Sequence, residues 1–239
     1  MLWLLGYPGQ AVREARQGVN LADSLAHVSS VGHALWWAAI VQQLRRDPPA
    51  VLDLANRLLT IGTEHGLGQY QHIGGITHGW ACAELTDIEE GLSELRPAVM
   101  SYGGTQRSYY NAVLAEAELR AGHLERARTA LNDATAISEE LGETFWRPGM
   151  LCVEGDLLRA WSSDSWREAE ELYREAVALS VEQHAKSLEL RAATRLARLW
   201  RGQGRASEAR GLLAPIYNWF TEGAETLDLK DARALLDAL

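Results

Sequence analysis

Along the chain, segments with apolar residues three and four positions apart alternate with short polar stretches. Such positions share one face of an α-helix, so the recurrence is the signature of amphipathic helices. It predicts helices at residues 9–26, 28–45, 49–65, 70–85, 88–101, 107–121, 124–141, 146–161, 165–184, 187–202, 206–221 and 228–238. The breaks carry turn chemistry: Gly6-Tyr-Pro-Gly, Arg46-Asp-Pro-Pro, Ala121-Gly-His, Ser163-Asp-Ser and Gln203-Gly-Arg. Pro148 falls at the opening of one helix, where its missing N–H removes nothing the helix needs. Nothing reads as a strand.

The helical segments also repeat. Small residues at Ala11, Ala50 (beside Val51), Gly91, Ala127, Ala169 and Ala209 are separated by 39, 41, 36, 42 and 40 positions. Each opens a triple at i, i+4 and i+7 on one face: Ala11/Ala15/Gly18, Val51/Ala55/Leu58, Gly91/Leu95/Ala98, Ala127/Leu131/Ala134, Ala169/Tyr173/Ala176 and Ala209/Leu213/Ile216. A second small residue stands 12 positions earlier in four units: Ala39 before Val51, Gly79 before Gly91, Ala115 before Ala127 and Ala197 before Ala209. In the fifth it is Gly155, 14 positions before Ala169, with the surplus in the turn Ser162-Ser-Asp-Ser. Two small residues facing each other across a helical hairpin let its helices approach closely, which is the demand behind the tetratricopeptide (TPR) pattern. The periods exceed the ~34 residues of the simplest such unit, so longer helices are expected.

The fold expected is an all-α, right-handed superhelical TPR-like solenoid, a single array over residues 1–239. Its units lie near 1–27, 28–68, 69–105, 106–144, 145–185 and 186–226, with a cap at 227–239. The cap is amphipathic: Leu227, Leu229, Ala232, Leu235 and Leu236 oppose Asp228, Lys230, Asp231, Arg233 and Asp237. Met1–Leu5 reads as the last turn of a helix begun upstream, and the face of Leu2, Leu5, Val12 and Val19 is expected to be under-packed.

Four stretches carry a more specific likeness: Leu4-Leu-Gly-Tyr-Pro-Gly-Gln-Ala, Gly142-Glu-Thr-Phe-Trp, the run from Lys186 to Trp200, and Leu212-Leu-Ala-Pro-Ile-Tyr-Asn-Trp-Phe-Thr-Glu-Gly. They resemble the C-terminal TPR regions of large bacterial multidomain signalling ATPases. In that family a class III cyclase domain or a winged-helix regulator precedes an AAA-type ATPase and then the array. The likeness spans nearly the whole chain and is most specific from Lys186 onward. It departs at Arg147-Pro148-Gly149 and at Glu154, where the family usually has a basic residue. It implies a C-terminal regulatory module, attached to an ATPase, cyclase or regulator domain. The family's catalytic residues have no matching positions here.

Composition narrows the chemistry. With 23 Lys+Arg against 32 Asp+Glu, the net charge of −9 argues against nucleic-acid or anionic-membrane partners. Cys82 and Cys152 lie too far apart for a CxxC redox pair or a zinc knuckle, which suits a reducing cytoplasm. No stretch approaches the roughly 20 apolar residues of a membrane span, and the N-terminus lacks the basic start of a signal peptide. Neither lysine stands in a phosphate-binding loop, and no pair of histidines has HExxH spacing. His72 and His78, six apart, fall on opposite faces. No cofactor, metal or enzymatic activity is expected.

What remains is a binding surface. Arg191, Arg195, Arg198 and Arg201 follow one another at spacings of 4, 3 and 3 along one helix face, which suits a carboxylate or phosphate ligand. In the TPR numbering of positions this face lines the concave groove. The alternative is a solvated face neutralised by Glu168, Glu170 and Glu171 of the neighbouring helix. Corresponding positions elsewhere hold His33, Trp36, Trp37, Ile73, Trp80, Tyr109, Val113 and Glu116, a more aromatic half. Of the adjacent Trp36 and Trp37, one is expected in the core and the other exposed; Trp80, Trp146, Trp161 and Trp200 are expected at core or hairpin positions. The function expected is a noncatalytic protein–protein interaction or regulatory module. A ligand-sensing domain that holds a small acidic metabolite in the groove is the alternative.

Overall fold

Each polar break becomes a turn, and the segments between become twelve α-helices in the computed structural model, which describes residues 1–239. They are α1 (Pro8–Leu25), α2 (Val28–Leu44), α3 (Pro48–Glu64), α4 (Gly68–Leu85), α5 (Ile88–Ser101), α6 (Arg107–Arg120), α7 (Leu124–Leu141), α8 (Arg147–Trp161), α9 (Trp166–Glu182), α10 (Lys186–Gly202), α11 (Ala206–Asn218) and α12 (Leu227–Asp237). Caps set several starts. The Asp47 carboxylate accepts from the Ala50 N–H ahead of α3, and that of Asp87 accepts from Glu89 and Glu90 ahead of α5. Pro48 and Pro148 occupy first-turn positions, as their chemistry requires. No helix is long and apolar enough to cross a membrane.

The chain divides into two compact units, one of residues Gln10–Ala130 and one of Met1–Gly9 with Leu131–Leu239. Within the first, α2, α4 and α6 pack side by side, while α3 and α5 pack on their neighbours in sequence. Within the second, α8, α10 and α12 form the corresponding row, joined by α9 and α11. Burial follows from this layering. α10 touches helices on several sides and buries eleven of its seventeen residues, whereas α9 buries only the stripe Ala169, Tyr173, Ala176 and Ser180. The triples read from the sequence are buried likewise on α3, where Val51, Ala55 and Leu58 are fully buried, and on α11, where Ala209 and Leu213 are, with Ile216 close behind.

The small residues sit where helices come closest. A Cβ added to Gly91 would stand 2.2 Å from the Ala83 backbone nitrogen, and one added to Gly79 would stand 2.7 Å from the Leu95 nitrogen. The longer fifth unit solves the same problem differently. Gly155 faces the Tyr173 ring, 2.5 Å from where its Cβ would be, so the aromatic fills the space opened by the two extra residues. In α1 the triple is incomplete, because Ala11 is buried but Gly18 is exposed with nothing within 4 Å of an added Cβ.

Met1–Tyr7 carries the hydrogen bonds of a helix end: the Leu5 amide donates to the Met1 carbonyl, the Gly6 amide to Trp3 and the Tyr7 amide to Leu2, with Gly6 at φ of +92°. Of the face expected to be under-packed, Val19 is buried, Leu2 and Val12 are half-buried and Leu5 is exposed, while the neighbouring Trp3 is 2% exposed.

One buried charge cluster stabilises the first unit. Glu118 on α6 is 2% exposed and accepts from Arg96 Nε and Nη2 on α5, while His123 Nδ1 lies 2.8 Å from its carboxylate. Burial alone would raise the carboxyl pKa, but the hydrogen bonds of Arg96 and His123 and the charges of Arg96 and Arg126 hold it below the ordinary value. A lowered pKa stabilises the fold at pH above the ordinary Glu value of 4.5 and ceases to do so as pH falls through the folded-state value. Glu118→Gln should therefore cost about 1.5 kcal/mol at pH 7. The gap from wild type should close as pH drops below 4.5, which urea melts across that range would measure.

Candidate functional site

The arginine row lies on α10, whose position is fixed by an almost continuous buried set: Leu188, Leu190, Ala192, Ala193, Leu196, Ala197, Leu199 and Trp200. The arginines take the remaining strip. They do not share one role. Arg191 donates from Nε and Nη2 to Asp228 Oδ2 of α12 at 2.9 and 2.8 Å, and its guanidinium lies 4.7 Å from the Trp3 ring centroid. The Asp228 side chain is only 9% exposed, so this is a largely desolvated, charge-assisted pair. Arg195 donates from Nε to Asp156 Oδ2 of α8 at 2.8 Å, and the Tyr173 hydroxyl of α9 donates to Asp156 Oδ1 at 2.7 Å. Burial and the neighbouring Asp156 charge push the Tyr173 hydroxyl well up, so it stays a donor.

Arg198 and Arg201 are exposed, with no carboxylate against them. The acids expected to neutralise the row are engaged elsewhere or absent from it. Glu170 pairs with Arg174 and Arg205. Neutralisation comes instead from Asp228, two helices on, and from Asp156, two helices back, because the row of even-numbered helices is what borders the strip. Sequence spacing places residues on a face but does not say which helix that face meets.

The first nine residues complete this surface. The Ser187 amide donates to the Leu4 carbonyl at 3.1 Å and the Ser187 hydroxyl to the Trp3 carbonyl at 2.5 Å. Trp3 packs 6.4 Å from Trp146, centroid to centroid, and Tyr7 packs 5.7 Å from Trp219. Gly6 has φ of +92° and approaches Trp219 so closely that a Cβ would lie 2.5 Å from the ring. This use of Ser187, Trp3 and Trp146 had no signal in local spacing.

The aromatic half, in the first unit, is largely core, and the expectation that it lines a groove is revised. Trp80 is 7% exposed and Tyr109 only 1%, with its hydroxyl donating to Gln43 Oε1 at 2.9 Å. Trp36 is buried and donates from Nε1 to the Tyr110 hydroxyl at 2.7 Å. Trp37 alone of the four is exposed; it stacks on Trp36 at 5.5 Å and donates to His33 Nε2. Three large aromatics are drawn inward because α2, α4 and α6 are packed on several sides. Trp146 and Trp200 are buried as expected, while Trp161 is exposed.

No protein-family profile and no curated protein matches the chain in sequence. Among solved structures, the apo form of RapI superposes with a TM-score of 0.61, covering 98% of this chain and 77% of that one at 11% identity. A putative kinesin light chain with nearly identical TPR-like repeats, from Podosopora anserina, covers 77% of this chain and is itself 92% covered, at 19% identity and a TM-score of 0.49. Twelve helices without a strand, paired small residues at close approaches and the RapI likeness establish the fold of this chain as an all-α, TPR-like helical repeat.

Proposed function

We propose that the chain is a noncatalytic interaction module that holds an acidic segment of a protein partner on the Arg198 and Arg201 end of α10. The observation that carries this reading is the division of the row. Arg191 and Arg195 are each fixed by a carboxylate of their own unit, whereas the two guanidiniums that continue the strip are exposed without one. A fixed pair beside a free pair holds the helix rigid and leaves donors for bidentate contact with a carboxylate, which lysine cannot copy. The sequence resemblance to the C-terminal regions of bacterial signalling ATPases supports a further step, that the module serves an attached ATPase, cyclase or regulator domain in the cytoplasm.

Binding of Asp/Glu-rich peptides, measured by fluorescence anisotropy, tests the reading. Affinity should fall steeply with salt, since exposed charges are screened over roughly 8 Å at physiological ionic strength. The double variant Arg198→Lys, Arg201→Lys should lose about tenfold in affinity with unchanged melting. Indifference to both salt and substitution would reject an acidic partner here. Displacement of the peptides by a small dicarboxylate at stoichiometric amounts would point instead to the metabolite-sensing alternative.

A further inference from the structure

Away from α10, the hairpin of α4 and α5 brings three chemically different ligands to one point. His78 and Cys82, four residues apart, share a face of α4, and Glu94 reaches them from α5. The His78 Nδ1 lies 2.6 Å from Glu94 Oε2, and the Cys82 sulfur lies 3.6 Å from His78 Nδ1 and 4.0 Å from Nε2. The ligand atoms of all three lie within 4.8 Å of one another. The glycines explain why. With Gly79 and Gly91 at the helix contact, the backbones stand closer than any side chain at those positions would allow, and the flanking residues meet across the seam.

We infer that His78, Cys82 and Glu94 form a site for one divalent cation of the zinc type, bound across the α4–α5 hairpin through nitrogen, sulfur and oxygen. A His–Glu hydrogen bond accounts for two of the residues, but it does not call for a thiol facing the same imidazole. The spacing suits coordination. Tetrahedral zinc with Zn–N of about 2.05 Å and Zn–S of about 2.3 Å sets its nitrogen and sulfur ligands about 3.6 Å apart. The observed Sγ to Nδ1 distance has that value. The corresponding nitrogen-to-oxygen separation is about 3.4 Å, so the Glu94 carboxylate, half exposed on its side chain, must withdraw by less than an ångström. A soft sulfur, an imidazole and one carboxylate favour zinc or cobalt over magnesium or calcium, which prefer all-oxygen shells. Coordination would release the thiol proton to solvent, place a thiolate on the metal and leave the fourth position to water. The cation would staple two helices whose backbones already approach closely at Gly79 and Gly91.

Cobalt(II) is the probe. The full chain, stripped with chelator, is titrated with Co2+ and then with Zn2+. One equivalent of cobalt should produce a sulfur-to-metal charge-transfer band in the near ultraviolet, and one equivalent of zinc should erase it. Cys82→Ser should abolish the band. Both Cys82→Ser and His78→Ala should weaken zinc binding by more than about 100-fold, beyond what loss of an outer-shell partner typically costs. Cys152→Ser and His72→Ala should keep the band and the affinity, since Cys152 is buried on α8 and His72 bonds the Gly68 carbonyl. Zinc should also raise the melting temperature of the wild type. If a ligand variant fails to fold, Glu94→Gln, an exposed and conservative change, should still show weaker zinc binding and a smaller rise. Absence of the band in the wild type, its persistence in Cys82→Ser, or wild-type affinity in both His78→Ala and Glu94→Gln would overturn the site.

Discussion

Replacing Trp3 with alanine should destabilise the unit of residues 1–9 and 131–239 by about 4 kcal/mol, within the range for truncating a buried tryptophan. The substitution removes an indole that is 2% exposed, a packing partner of Trp146 and the face on which the Arg191 guanidinium rests at 4.7 Å. Stacking of a partly desolvated guanidinium contributes about 1 kcal/mol of that. In a chain of this size the loss should lower Tm by on the order of 10 °C. Trp3→Phe should recover more than half, because a ring still covers Arg191. The competing view is that residues 1–9 lie loosely on the surface. On that view both variants melt like the wild type, and trypsin or thermolysin cuts the segment as readily before substitution as after.

Gly91→Ala sets two physical effects against each other. Alanine is the better helix former by about 1 kcal/mol, so helix propensity alone makes the variant more stable. The added methyl would stand 2.2 Å from the Ala83 nitrogen and 2.5 Å from its Cα, both backbone or nearly so, where nothing can rotate away. Forcing the helices apart should cost about 3 kcal/mol, leaving a net loss of about 2. Gly18→Ala is the internal control. It lies in α1 with nothing within 4 Å of the new atom, and it should gain up to about 1 kcal/mol. Opposite signs for two Gly→Ala changes, read from denaturant melts, would show that the repeat's small positions are set by helix approach. Equal gains at both would remove that account of the hairpin.

The helices and the repeat were legible because turns and small residues act locally. The boundaries around Pro48, Pro148 and Gly122 follow from proline geometry and from φ of +78° at Gly122, which any reader of turn chemistry would place. Turns at Ala26 and His184 adopt the same left-handed backbone without glycine, and there only the return of periodicity marks the break, whereas at Arg46 the following Asp47-Pro-Pro marks it as well. The candidate site was legible in part. Spacing put four arginines on one strip, but their partners Asp156 and Asp228 lie 39 and 37 positions away from Arg195 and Arg191 and are set by helix stacking. Trp37, Trp80 and Tyr109 all belong to the groove-facing set of positions, and spacing alone does not separate a buried ring from an exposed one. His78 and Cys82 stand at i and i+4, outside the two-histidine HExxH pattern, and Glu94 meets them only through the packing of α5 on α4.

The division of the arginine row is tested most directly by four single variants, Arg191→Lys, Arg195→Lys, Arg198→Lys and Arg201→Lys, each measured for melting and for acidic-peptide binding at one ionic strength. Lysine keeps the charge but not the planar donor pair. Arg191→Lys and Arg195→Lys should each lose about 1 kcal/mol, equivalent to about 3 °C, as Asp228 and Asp156 lose directed donors. Arg198→Lys and Arg201→Lys should melt with the wild type and bind the peptide several-fold more weakly. Reduced melting at Arg198 and Arg201, or undiminished binding in both, would contradict the assignment of the exposed pair to a partner.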